Sequence, residues 1–81
     1  MLSTSYTLYI DGKPIEKAVF CGPLDSHPFW QRLIVYERTM TGRLAPVAEH
    51  TVPAYWPETP MHFRKSVIRT GGHEYAMIRD K

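Results

Sequence analysis

Apolar and polar side chains alternate along residues 6–20. Tyr6, Leu8 and Ile10 fall on one side of an extended backbone, with Thr7 and Tyr9 on the other. After Asp11-Gly12, Ile15, Lys17 and Val19 alternate with Glu16, Ala18 and Phe20. A period of two marks a strand, because successive side chains there point to opposite faces. Asp-Gly suits a type I′ turn, whose two central residues need positive φ. The pattern predicts a hairpin over residues 6–20. Pro14 has no N–H to give to a ladder, so the second strand is expected to have a free edge near the turn.

Residues 61–81 repeat the theme around Gly71-Gly72. A two-residue turn there pairs Thr70 with His73, Arg69 with Glu74, Ile68 with Tyr75 and Val67 with Ala76. That register sets opposite charges across the ladder and packs a β-branched residue against an aromatic ring, both favourable cross-strand pairs.

The middle of the chain reads differently. Phe29, Leu33, Tyr36 and Met40 recur at spacings of four, three and four, with Trp30 and Ile34 widening the stripe. Asp25 or Ser26 can cap a helix, Pro28 suits a first turn, and Gly42 suits the residue just past the end. The expectation is a helix over residues 29–41. Leu33-Ile34-Val35-Tyr36 is β-prone, however, and Thr39-Met40-Thr41-Gly42 offers a hairpin turn as the competing reading. Arg43 to Val52 follows as a strand with Pro46 in it, hence an edge strand or a bulged one. Pro53, Pro57 and Pro60, with Tyr55 and Trp56 between them, favour extended backbone and exclude helix. The expected fold is α+β: a small antiparallel sheet of two hairpins and one strand, with a single helix packed on one face.

Size fits that picture. With 81 residues the chain supports one domain spanning 1–81. A domain this small buries roughly 60% of its unfolded surface, so its core is thin. No apolar run reaches the roughly 20 residues of a membrane helix, and residues 1–5 lack the basic and apolar regions of a signal peptide. A cytoplasmic location is expected. Cys21 is the lone cysteine, which excludes an internal disulfide and suggests a partly buried apolar filler.

The net charge of +2 is mild but uneven. Lys13, Lys17, Arg32 and Arg38 balance Asp11, Glu16, Asp25 and Glu37, so the surplus lies in the second half. Arg64, Lys65, Arg69, Arg79 and Lys81 stand on the C-terminal hairpin against Glu74 and Asp80. Such cations suit phosphate contacts, and Trp56, Phe63 or Tyr75 could stack on unpaired bases. The register splits them, however. Arg64 and Arg79 share the Ile68/Tyr75/Met77 face, while Lys65 and Arg69 lie opposite.

Catalytic and metal motifs are missing. His27, His50, His62 and His73 are separated by 23, 12 and 11 positions, without the short spacings of zinc ligands. There is no G-x-S-x-G elbow and no phosphate loop before a helix. No metal or cofactor is expected, and no enzymatic activity. The residues point instead to a small binding protein acting stoichiometrically on a larger protein or nucleoprotein partner. Inhibitors and accessory regulators made by phages or mobile elements, such as blockers of host defence, are of this type. The expected contacts are Tyr55, Trp56, Arg64, Lys65 and Arg69, since aromatic and arginine side chains dominate interface energetics. A nucleic-acid-binding regulator using the basic hairpin is the alternative. Self-association into a homodimer through a sheet edge or the helix stays open.

Overall fold

The computed structural model describes residues 5–57 and 64–80. The expectations for Pro60, His62, Phe63, Lys81 and the start of the chain lie outside the described residues. Among the described residues seven strands follow in order: β1 (Tyr6–Ile10), β2 (Lys13–Ile15), β3 (Lys17–Pro23), β4 (Trp30–Arg38), β5 (Leu44–Pro53), β6 (Lys65–Thr70) and β7 (His73–Arg79). They form two antiparallel sheets, one of order β2-β1-β7-β6 and one of order β3-β4-β5.

The described residues contain no helix, which overturns the α+β expectation. Residues 30–38, expected to be helical, form the central strand of the three-stranded sheet. Gln31, Leu33 and Val35 alternate inward, and β-branched Ile34 and Val35 favour the pleated surface over a helix. Gly42 does take positive φ, at 84°, but as the end of the β4–β5 turn rather than a helix cap. There the Gly42 N–H donates to the Thr39 carbonyl at 2.9 Å. The competing hairpin reading is the one the chain adopts.

The first hairpin forms only in part. Asp11-Gly12 turns the chain as expected, and Ile10 pairs with Lys13, Tyr9 with Pro14 and Leu8 with Ile15. The strand then ends at Ile15, and after a bend at Glu16 the chain joins the other sheet as β3. Pro14 sits on an edge strand, and so does Pro46. In β5 the register slips between Val35/Ala48 and Tyr36/Pro46, leaving Val47 as the extra residue of a bulge. The C-terminal hairpin has the predicted register from Thr70↔His73 to Val67↔Ala76.

The two sheets close on one core. Leu8, Ile10, Tyr75 and Met77 come from the four-stranded sheet, and Leu33, Val35 and Val52 from the three-stranded one. Trp56 enters from the segment after β5. Leu33 and Val52 are wholly inaccessible, at 0% exposure. Burial of each such side chain contributes about 1.5–3 kcal/mol, so these few residues carry much of the fold. Cys21, expected to be partly buried, is exposed.

Candidate interaction surface at the aromatic end

The segment before β4 is a compact loop. His27 N–H donates to the Leu24 carbonyl at 3.2 Å, Trp30 N–H to His27 at 3.0 Å, and Leu24 N–H to Trp30 at 2.8 Å. Pro28 belongs to this turn, where it removes a donor the turn does not need. The loop leaves Phe29 at its corner, 81% exposed. Because Gln31, Leu33 and Val35 face inward, Trp30 must face outward, and it is 38% exposed.

The chain leaving β5 is fastened beside this loop. Ala54 N–H donates to the Phe29 carbonyl at 2.8 Å, and Trp56 N–H closes a turn on Pro53 at 3.1 Å. Gln31 holds that turn from inside. Its Nε2 donates to the Trp56 carbonyl at 2.6 Å and to the Pro53 carbonyl at 3.3 Å, and the side chain is buried. The turn separates two adjacent aromatics. Tyr55 points out at 72% exposure, whereas Trp56 turns into the core at 3%. The Trp56 indole N–H donates to Ser66 Oγ at 3.0 Å, which satisfies its one polar group.

Phe29, Trp30 and Tyr55 therefore stand at one end of the three-stranded sheet. Beside them Leu24, His27, Trp30, Thr51, Thr70 and Gly71 line an open groove of about 440 Å³. The β6–β7 turn thus forms one wall of the groove and the loop before β4 another.

The five residues expected to contact a partner do not gather in one place. Tyr55 belongs to the aromatic end. Trp56 belongs to the core, at 3% exposure. Arg69 is exposed on β6 and its Nε donates to Glu74 Oε2 at 2.8 Å. Lys65 lies four residues away on the same face, about 13 Å along the strand. Arg64 and Lys65 line a second open depression of about 420 Å³ with Ile78, Arg79 and Asp80. Neither Arg64 nor Lys65 has an ion pair among the described residues. Phe29 and Trp30 were hidden from sequence reading by the helical stripe they completed. Their signal is the strand alternation of Gln31, Leu33 and Val35, which turns Trp30 outward.

A titratable cluster lies between the sheets. Asp11, in a left-handed conformation at φ 52°, accepts Glu74 N–H at 2.9 Å through Oδ1. Its other oxygen accepts the Nδ1–H of His73 at 2.6 Å. These hydrogen bonds, that of Glu74 first, hold the Asp11 carboxyl below the usual carboxylate range. His50, on β5, meets His73 edge to face at 5.1 Å between ring centres, and its Nδ1 shares a hydrogen bond with the Tyr75 hydroxyl at 2.9 Å. Burial lowers the His50 pKa below its ordinary value, repulsion from His73 adds to this, and Asp11 opposes it. Burial likewise raises the Tyr75 phenol. Among the described residues no group of three or more His, Cys, Asp or Glu side chains is placed to hold a metal ion. No helix among them is long and apolar enough to cross a membrane. No family model, no curated protein and no solved structure matches this chain.

Proposed function

We propose that this chain is a small non-enzymatic binding protein that engages a larger protein or nucleoprotein partner stoichiometrically in the cytoplasm. Inhibitors and accessory regulators of the phage or mobile-element type act in this way. One observation carries the reading: Phe29 and Tyr55, 81% and 72% exposed, sit on backbone segments joined by a hydrogen bond. Aromatic side chains on a braced backbone bury large area at low entropic loss, which is what interface hot spots require. Trp30 and the adjoining groove extend the same surface.

The test is affinity capture from host lysate, with and without phage infection, using the wild-type chain and a Phe29→Ala/Tyr55→Ala variant. A partner retained in fixed stoichiometry by the wild type and lost by the folded variant supports the proposal. Equal retention by both, or no partner in either lysate, sinks it.

A nucleic-acid-binding regulator is the second reading, favoured by Arg64, Lys65 and Arg79 around one depression. It predicts a steep fall in DNA or RNA affinity with salt. Absence of binding at low salt eliminates it.

A further inference from the structure

The four strands at the sheet edges are not alike. Pro14 lies in β2, Pro23 in β3, and Pro46 with a bulge in β5. Prolines and bulges blunt an edge against the addition of another strand. The six residues of β6 hold no proline and pair with β7 without a break in register.

The ladder shows which groups that edge presents. Arg79 N–H donates to the Arg64 carbonyl, so Arg64/Arg79 is a hydrogen-bonded pair. Alternation then makes Ser66/Met77, Ile68/Tyr75 and Thr70/His73 hydrogen-bonded pairs as well. The backbone N–H and C=O groups of Lys65, Val67 and Arg69 therefore point away from β7, towards the open edge. Their side chains share the outer face, with Val67 44% exposed and the Arg69 side chain 82% exposed. The edge thus combines backbone groups that have no partner among the described residues with a cation–apolar–cation row.

That row selects its occupant. Antiparallel pairing of β6 with a second copy about Val67 would set Lys65 against Arg69 twice, and like charges directly opposed are destabilising. A strand with acid, apolar and acid at alternate positions meets the row with two opposite-charge pairs and one apolar contact. We propose that β6 accepts an extended acidic peptide segment of a partner protein by strand addition, paired through the outward backbone groups of Lys65, Val67 and Arg69. Backbone bonds supply affinity and the alternate side chains supply selectivity. Glu74 already offsets part of the Arg69 charge, so Lys65, with Arg64 and Arg79 nearby, makes the larger share of the discrimination. This edge is separate from the aromatic end, and the inference stands or falls independently of the function proposed for that end.

The experiment is an NMR titration of the full chain with a capped heptapeptide carrying Glu, Val and Glu at alternate positions and Thr between them. The expected result is saturable binding that slows hydrogen exchange at the amides of Lys65, Val67 and Arg69. Lys65→Glu/Arg69→Glu should weaken binding by on the order of tenfold and should bind the same peptide with Lys in place of Glu. Val67→Pro removes an outward N–H that the β6–β7 ladder does not use, and should abolish binding. If Val67→Pro does not fold, the charge-reversal pair decides the matter alone. The proposal is overturned by a lack of protection at the three amides, or by equal affinity for a Gln-for-Glu peptide. Protection that rises with protein concentration and no peptide also overturns it, because a second copy is then the occupant.

Discussion

The Nδ1 of His50, on the three-stranded sheet, lies 2.9 Å from the hydroxyl of Tyr75, on the four-stranded sheet, so one side-chain hydrogen bond ties the two sheets together. Tyr75 is only 2% exposed, and its ring also lies 6.2 Å from that of Trp56. The polar tie is continuous with the packed core. Tyr75→Phe keeps the ring and removes the tie, and should lower stability by about 0.5–1.5 kcal/mol, read from denaturant midpoints.

Acid should weaken the fold in a defined window. His50 has a folded pKa below its ordinary value of 6.5, so the unfolded chain binds this proton at a higher pH than the folded one. Its contribution is full above about pH 6.5 and declines as pH falls towards the lowered folded value. Asp11, also lowered, adds a separate loss below its ordinary 3.8, as pH falls through its folded value. Urea midpoints at pH 7.5 and 5.5 should differ for the wild type and converge for His50→Gln. Equal pH dependence in both proteins would exclude His50 as the cause.

Tyr55 and Trp56 should part company under mutation. Trp56→Ala opens the core and leaves Ser66 without its indole donor, a loss of about 3–5 kcal/mol. Tyr55→Ala should stay within about 0.5 kcal/mol of wild type, as for an exposed site. Thermal melts of the two variants check this directly, and similar melting temperatures would contradict the opposite placements.

Gln31 should behave as a brace. Gln31→Leu fits the apolar surroundings but leaves the Pro53 and Trp56 carbonyls without its amide, for a loss of about 1–3 kcal/mol. Heteronuclear relaxation should then show Tyr55 gaining mobility relative to the strands.

The last turn tests backbone conformation alone. Gly71 and Gly72 have φ of 61° and 81°, and beyond the immediate chain neighbours neither has an atom within 4 Å of where a Cβ would lie. Any penalty at these sites is therefore conformational rather than steric. Gly72→Val should lower stability by roughly 1–2 kcal/mol, whereas Gly71→Asn should be tolerated, since Asn adopts positive φ readily. Chemical denaturation of both variants gives the comparison.

What could be read from the chain depended on how local the deciding physics was. The turns at Asp11-Gly12 and Gly71-Gly72 are set by adjacent residues, and both were legible, with the final hairpin correct to the register. Residues 29–41 misled because two periods coexist there. Phe29, Leu33, Tyr36 and Met40 have helical spacing, while the inward strand face contains a glutamine that masks its alternation. Only the structure supplies the reason for a buried Gln31, the carbonyls of Pro53 and Trp56. Tyr55 and Trp56 look equivalent in sequence, and tertiary packing alone distinguishes them. His50 and His73, 23 positions apart, meet only because their strands lie in facing sheets.

The crossing at Glu16 has a consequence for the order of assembly. Because the chain leaves the four-stranded sheet after Ile15 and β6 begins at Lys65, β1 has its long partner, β7, far along the sequence. The three-stranded sheet comes from one continuous stretch of neighbouring hairpins, and so needs only short loop closures to form. The other sheet needs β1 to meet the β6–β7 hairpin across the whole three-stranded sheet's stretch of sequence. Until then β1 has β2 on one side and an open edge on the other. Folding should therefore be limited by this long-range closure, and until it forms the chain is most exposed to wrong strand partners.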